Sequence, residues 1–166
     1  AYYDKLYGPR GWTQAVILNL SIGQGENSQT VVNMAKFYTA LATDGSAAKP
    51  EVVRGQAERV QLFRLTEAQL KGIQAALGDV VGRGTAAGSR LQGISVAGKT
   101  GTAQNSQDQV LDHAWFVGYA PADDPKIVVA VMLEFGLHGS RAARIATKII
   151  ERYLKAQVVL LPETEG

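Results

Sequence analysis

A chain of 166 residues is long enough for one domain with a buried core. With 46% hydrophobic and 19% charged residues it is globular rather than disordered in composition, and a formal charge of +2 on scattered basic residues leaves no nucleic-acid footprint. The absence of cysteine removes disulfides, thiolate nucleophiles and cysteine metal sites, and with only His113 and His138 no histidine metal site is expected either.

No window approaches the run of about 20 apolar residues that a membrane span needs. The N-terminal "AYYDKLYGPRG" lacks a signal-peptide design, so any targeting element is expected outside this sequence. Residues 13–22 are apolar and lead into "GQGENSQT", a glycine-rich turn with several candidate caps. Helical spacing of Val31, Met34, Ala35, Tyr38 and Leu41 then predicts a helix over 31–43, stopped at "TDGS". "KPEVVR" and "RVQLFR" are short β-prone runs on either side of "GQAE", which predicts a small hairpin. Thr66 and Gln69 form a capping-box signature, and Leu70, Ile73, Leu77, Val80 and Val81 give the apolar stripe of a helix through residue 82.

Farther on, "GISVAGKT" is read as an extended segment, with a strand over 94–100. "HAWFVGYAP" is a strand stopped by Pro121, and "KIVVAVMLEF" a strand over 126–135 whose unbroken apolar run implies burial on both faces. The short "PADDPK" connection makes the last two antiparallel neighbours. A final helix over 139–156 puts Ala142, Ile145, Ala146, Ile149, Ile150, Tyr153 and Leu154 on its core face, and Arg141, Arg144, Lys148, Arg152 and Lys155 on a solvated one. The tail "PETEG" is expected to fray.

The stretch "GISVAGKTGTAQ" fits two motifs. Gly93, Gly98, Lys99 and Thr100 satisfy the phosphate-loop pattern, while Lys99-Thr100-Gly101 is the K-T-G triplet of penicillin-interacting serine enzymes. A phosphate loop needs a buried strand before its first glycine and a helix starting at the Lys-Thr. "GSRLQ" makes a poor buried strand, β-branched Ile94 and Val96 resist positive φ, and "NSQDQ" starts no amphipathic helix. A strand whose end lines a cleft is the better reading, with Gly98 and Gly101 letting another chain approach the backbone.

"AGKTGTAQ", "HAWFVGYAP" and "PKIVVAVMLEFG", preceded in order by "LSIGQG", "MAKFYTALATDG" and "KPEVV", resemble the C-terminal half of the transpeptidase domain of class B penicillin-binding proteins, above all the penicillin-binding protein 2 group. The resemblance runs from about Leu20 to Tyr153 and implies an α+β fold of the penicillin-binding protein and serine β-lactamase type. About three of its five antiparallel strands would be present here, packed between helices. It implies a DD-transpeptidase that cross-links peptidoglycan stem peptides by serine acyl transfer, is acylated by β-lactams, needs no cofactor, and works at the extracytoplasmic, periplasmic face of the inner membrane through an anchor outside this sequence.

Of the family's three motifs only K-T-G is convincing. No serine is followed two residues later by asparagine, so S-x-N is absent. Ser46 and Lys49 match S-x-x-K, but in a loop closed by Pro50 rather than at the start of a buried helix, where the lysine one turn on could take the serine proton. Residues 1–166 are therefore expected to be the C-terminal portion of the domain, without the part that carries S-x-x-K and S-x-N, and inactive alone. The resemblance gives Lys99 the role of a fixed positive charge, Thr100 and Thr102 hydroxyls that hold the substrate carboxylate, Gly101 room for a substrate lying along the strand, and the Thr102 backbone N–H one of two oxyanion donors.

Trp115 and Phe116 are expected in packing roles, and His113 as a structural or surface histidine. A non-catalytic module that binds peptidoglycan or a protein partner through the K-T-G wall is the alternative, and a serine β-lactamase lacks the "HAWFVGYAP" and "SIGQG" context. Because the 126–135 strand has no edge protection by charge, proline or alternation, the isolated chain is expected to pair through it with another copy or with the rest of the domain.

Overall fold

A computed structural model describes the backbone of residues 2–9, 11–53, 55, 57–104 and 111–160, with side chains to residue 155. The "PETEG" tail and all of "NSQDQ" lie outside the described residues. Two short helices come first, α1 (Tyr2–Tyr7) and α2 (Gln14–Ser21), neither with a buried residue. The apolar run at 13–22 is thus helical, with the Thr13 hydroxyl accepting from the Ala15 amide at its start.

Helix α3 (Val31–Ala42) is capped by Thr30, whose hydroxyl accepts from the Asn33 amide at 3.1 Å, and it buries Tyr38, Ala40, Leu41 and Ala42. The expected stop at "TDGS" is where it ends. Gly45 has φ +88°, and a Cβ there would stand 2.4 Å from the Phe63 carbonyl oxygen, so only glycine fits.

The hairpin that follows is displaced from its expected position. It pairs β1 (Ser46–Ala48) with β2 (Arg59–Gln61), extended at its loop end by Lys49 N–H to the Glu58 carbonyl. Pro50 has no N–H to donate, so the ladder stops before "PEVV" rather than running through it. Ser46 consequently opens a strand, not a loop. Asp44 closes the turn by accepting from the Ser46 amide and hydroxyl and from Arg59.

Helix α4 (Glu67–Gly82) starts with the predicted capping box, Thr66 and Gln69 bonding reciprocally. A 3-10 turn (Ala87–Ser89) leads to three antiparallel strands, β3 (Ala97–Ala103), β4 (His113–Ala120) and β5 (Ile127–Leu133), in the order β3-β4-β5. β3 starts three residues later than expected because Gly93, at φ +75°, turns Ile94 back to bridge Leu91. The last described element is α5 (Gly139–Leu160).

The sheet lies between helices, as expected. Ala114, Phe116, Ala120 and Val129 pack on Ala142, Ala143, Ala146 and Ile150 of α5, while Val117 and Tyr119 pack on Tyr38 and Leu41 of α3 and Leu77 of α4. β5 is covered on both faces but less completely than its sequence implies, since only Val129 is fully buried. On α5 the core stripe is narrower than expected: Ile145, Ile149 and Tyr153 remain exposed, because alanines 142, 143 and 146 bring the helix close to the sheet along one line.

The Asp44 carboxyl is held well below the usual carboxylate range, first by the Ser46 hydroxyl and then by the Arg59 guanidinium. A carboxyl whose folded pKa is depressed stabilises above its unfolded pKa and loses that contribution as pH falls toward the folded value. Melting curves from about pH 6 to about pH 3 should therefore fall more steeply for the native chain than for Asp44→Asn. Equal slopes would mean that the turn is not held through this carboxylate.

Candidate active site

The K-T-G triplet sits in the middle of β3, not at its end. Gly98 and Gly118 face each other across β3 and β4, and the Phe116 ring fills the space they leave: a Cβ on Gly98 would meet Phe116 Cζ at 2.6 Å. Gly98 therefore serves the protein's own core rather than the approach of another chain. Gly101 lies opposite Trp115, where a Cβ would come to 3.2 Å of the tryptophan Cβ.

β3 has β4 on one side and, among the described strands, none on the other. On that open side Lys99 Nζ donates to the Thr100 carbonyl at 2.7 Å, and Gln24 Nε2 donates to the Thr102 carbonyl at 3.2 Å. An antiparallel strand residue turns its N–H and C=O to the same side. The amides of Thr100 and Thr102 thus also face outward, while Lys99, Gly101 and Ala103 turn toward Val117, Trp115 and His113.

Side chains alternate in the other direction. Thr100 and Thr102 lie on the α5 face, and Lys99 reaches the edge from the opposite face. A hollow of about 320 Å³ forms there, lined by Thr85, Lys99, Thr100, Gly101, Thr102 and the 138–140 segment that starts α5. The Thr85 and Thr100 hydroxyls are 2.6 Å apart and hydrogen-bonded.

α5 comes close because its first residue is glycine: a Cβ on Gly139 would stand 2.7 Å from the Gly101 carbonyl oxygen and 2.8 Å from that of Trp115. Its N-terminal amides and dipole face the hollow. Lys99 adds a full positive charge, and no carboxylate is among the lining residues. The turn between β5 and α5 contains the two non-glycine residues with positive φ among the described residues, Phe135 at 55° and Leu137 at 66°. His113 Nδ1 accepts from the Phe135 amide at 3.2 Å, a structural role as expected.

Residues 5–151 match the penicillin binding protein transpeptidase domain. The chain belongs to this family. It is 33% identical to the peptidoglycan D,D-transpeptidase MrdA of Acinetobacter baumannii over 86% of this chain and 25% of that protein, and 30% identical to the penicillin-binding protein PbpB of Mycolicibacterium smegmatis over 93% and 28%. It therefore spans about a quarter of the length of these relatives. Among solved structures, a penicillin-binding protein (PBP2) of Helicobacter pylori superimposes with a TM-score of 0.82 at 25% identity, covering 93% of this chain and 29% of that one. The imipenem acyl-enzyme complex of penicillin-binding protein A from Mycobacterium tuberculosis does so with 0.73 at 27%, covering 86% and 34%.

Within this family the Ser46–Lys49 match to S-x-x-K falls away as a nucleophile and base. Ser46 begins a strand, is buried, donates to Asp44 and accepts from Arg59 Nε at 2.6 Å, while Lys49 pairs with Glu58. Sequence reasoning did not single out Thr85, Gln24 or Gly139 for the site. "SIGQG" was a visible signal for Gln24, but nothing local shows a contact 78 residues away.

Gly139→Ala should separate α5 from the sheet edge, since the atoms it meets are backbone and cannot rotate away. Denaturant unfolding is expected to give a loss of about 1–3 kcal/mol. An unchanged midpoint would mean that the helix start is not seated against β3 and β4.

Proposed function

We propose that this chain is the C-terminal portion of the transpeptidase domain of a serine-type peptidoglycan D,D-transpeptidase and supplies its substrate-clamping wall. S-x-x-K and S-x-N would come from chain outside this sequence. The observation that carries the reading is the open edge of β3, where the Thr102 amide faces outward beside the Thr100 and Thr102 hydroxyls, Lys99 and the start of α5. A hollow with positive potential and short hydroxyl donors suits the terminal carboxylate of a D-Ala-D-Ala stem peptide or of a β-lactam.

In the reaction the serine oxygen gives its proton to the lysine and bonds to the penultimate D-Ala carbonyl carbon. The Thr102 N–H donates to the oxygen that becomes anionic, together with the serine's own amide. The C–N bond to the terminal D-Ala breaks and that residue leaves as the amine with a proton. An acceptor amine then attacks the ester, a new amide forms, and the serine regains its proton. Lys99 raises the potential at the carboxylate and hydrogen-bonds the S-x-N serine. Gly101 leaves room for the peptide to lie along β3 as an added strand. The substrate implies the extracytoplasmic side of the membrane, and among the described residues no helix is long and apolar enough to cross one.

Acylation by a fluorescent penicillin, followed by denaturing electrophoresis, tests this reading. The full-length protein carrying this chain should give a labelled band and the 166-residue chain none. In the full-length protein Lys99→Ala and Thr100→Val should slow acylation about 10- to 100-fold, as expected for loss of a charge-assisted or substrate-facing hydrogen bond, with little change in melting temperature. A full-length protein that retains penicillin without covalent labelling would favour a non-catalytic binding module.

Among the described strands the same sheet has a second open edge at β5. Val128, Ala130 and Met132 turn their backbone groups away from β4, beside an apolar groove of about 550 Å³ lined by Val31, Ala35 and Thr39 of α3 and by Ile127, Val128 and Ala130. The isolated chain pairs there with a second copy. An antiparallel pairing centred on Ala130 sets Lys126 against Glu134 of the other copy, so the charges at the strand ends are complementary. Light scattering should rise with concentration for the isolated chain and stay at the monomer value for Met132→Lys. A native chain that is monomeric at every concentration would contradict the pairing.

A further inference from the structure

The loop that ends α2 bears on the same edge of β3. "SIGQG" forms a Schellman motif: Gly23, at φ +77°, is the left-handed residue, its amide donates to the Leu20 carbonyl at 3.0 Å, and the Gln24 amide donates to the Asn19 carbonyl at 2.9 Å. Gly25, at φ +68°, turns the chain again on the other side of Gln24. The Gln24 backbone is thereby tied to α2 while its side-chain amide reaches the Thr102 carbonyl at 3.2 Å.

We propose that Gln24 is a positioning residue for the Thr102 N–H. The proposal rests on the function given above, in which that N–H is an oxyanion donor. Among the described strands Thr102 has a neighbour on one side only, and β3 ends one residue later at Ala103. Its N–H and C=O point the same way, so a bond that anchors the carbonyl also fixes the direction of the amide. Oxyanion donors act through preorganisation: a donor already aimed at the place where charge develops reorganises nothing during the reaction. A carbonyl oxygen has two lone pairs, so the Gln24 bond leaves one acceptor position for the N–H of a peptide lying along β3.

The effect should appear in the bond-forming step rather than in binding, because a mis-aimed donor is felt most when the oxygen becomes anionic. Gln24→Met keeps much of the length and removes the donor. In the full-length protein, rapid-mixing kinetics with a chromogenic β-lactam should give an acylation rate constant lower by about tenfold, less than the roughly 10²–10³-fold cost of deleting an oxyanion donor, with an unchanged dissociation constant for the initial complex.

A rate equal to the native one would overturn the proposal. A faster rate would overturn it too, and would mean that Gln24 obstructs the substrate lane. Hydrogen–deuterium exchange of the substrate-free protein supplies a readout that needs no acylation. Peptides covering 97–104 should exchange faster in Gln24→Met, while those covering β4 and β5 stay as in the native protein. Unchanged exchange in 97–104 refutes the proposal even in a protein that is acylated, whereas absence of acylation in the native protein counts against the transpeptidase reading alone.

Discussion

The arrangement depends on one piece of packing, the Phe116 ring set over the paired glycines 98 and 118. Because neither strand has a side chain at that point, a large ring can sit against the β3–β4 ladder and still be fully buried under α5. That contact decides which face of β4 turns toward α5. Since side chains alternate, it also decides that Thr100 and Thr102 share a face with the start of that helix and that Lys99 must approach from the other side. The K-T-G segment is thus oriented by the ring of a core residue, Phe116, which stands directly across the ladder from Thr100.

A second consequence is directional. The sheet is closed by β4 on one flank of β3, so the outward-facing backbone groups of β3 lie on the other flank, and the elements that trim that flank come from far away in the sequence. Gln24 arrives from the end of α2, Thr85 from the end of α4 and Gly139 from the start of α5. Each is placed by a helix terminus. Termini suit the task because they carry unpaired amides and sharp backbone turns, and because a helix fixes its own end with little freedom.

Much of this was legible in the sequence because it is local. The capping box at Thr66 and Gln69, the stop at "TDGS" and the unbroken "IVVAVML" run each depend on a few adjacent residues. The K-T-G triplet and its relation to "HAWFVGYAP" were legible as well, because the pairing of β3 with β4 follows from two strand patterns. Less visible was anything set by contact between distant segments. The β1 strand was misplaced because "PEVV" has the propensity, yet the partner amides lie opposite "SAA" and Pro50 cannot extend the ladder. The 94–100 boundary failed because the Gly93 turn competes with strand propensity. The exposed Ile145, Ile149 and Tyr153 were assigned to the core because a helical period identifies a stripe but not its width, which the alanines of α5 make narrow.

The turn from β5 to α5 has a further implication for how the protein can be improved. Phe135 and Leu137 sit in the left-handed region that side chains avoid, at about 1–3 kcal/mol each, on either side of Gly136. Strain of that kind is a reserve of stability withheld from the fold in the turn just before the residues that line the hollow. A search that selects variants only for heat resistance should be drawn to these two positions, and glycine there would relax the backbone. The gain would come in the turn that leads into the start of α5, so the most thermostable descendants of this chain need not keep the geometry of the hollow.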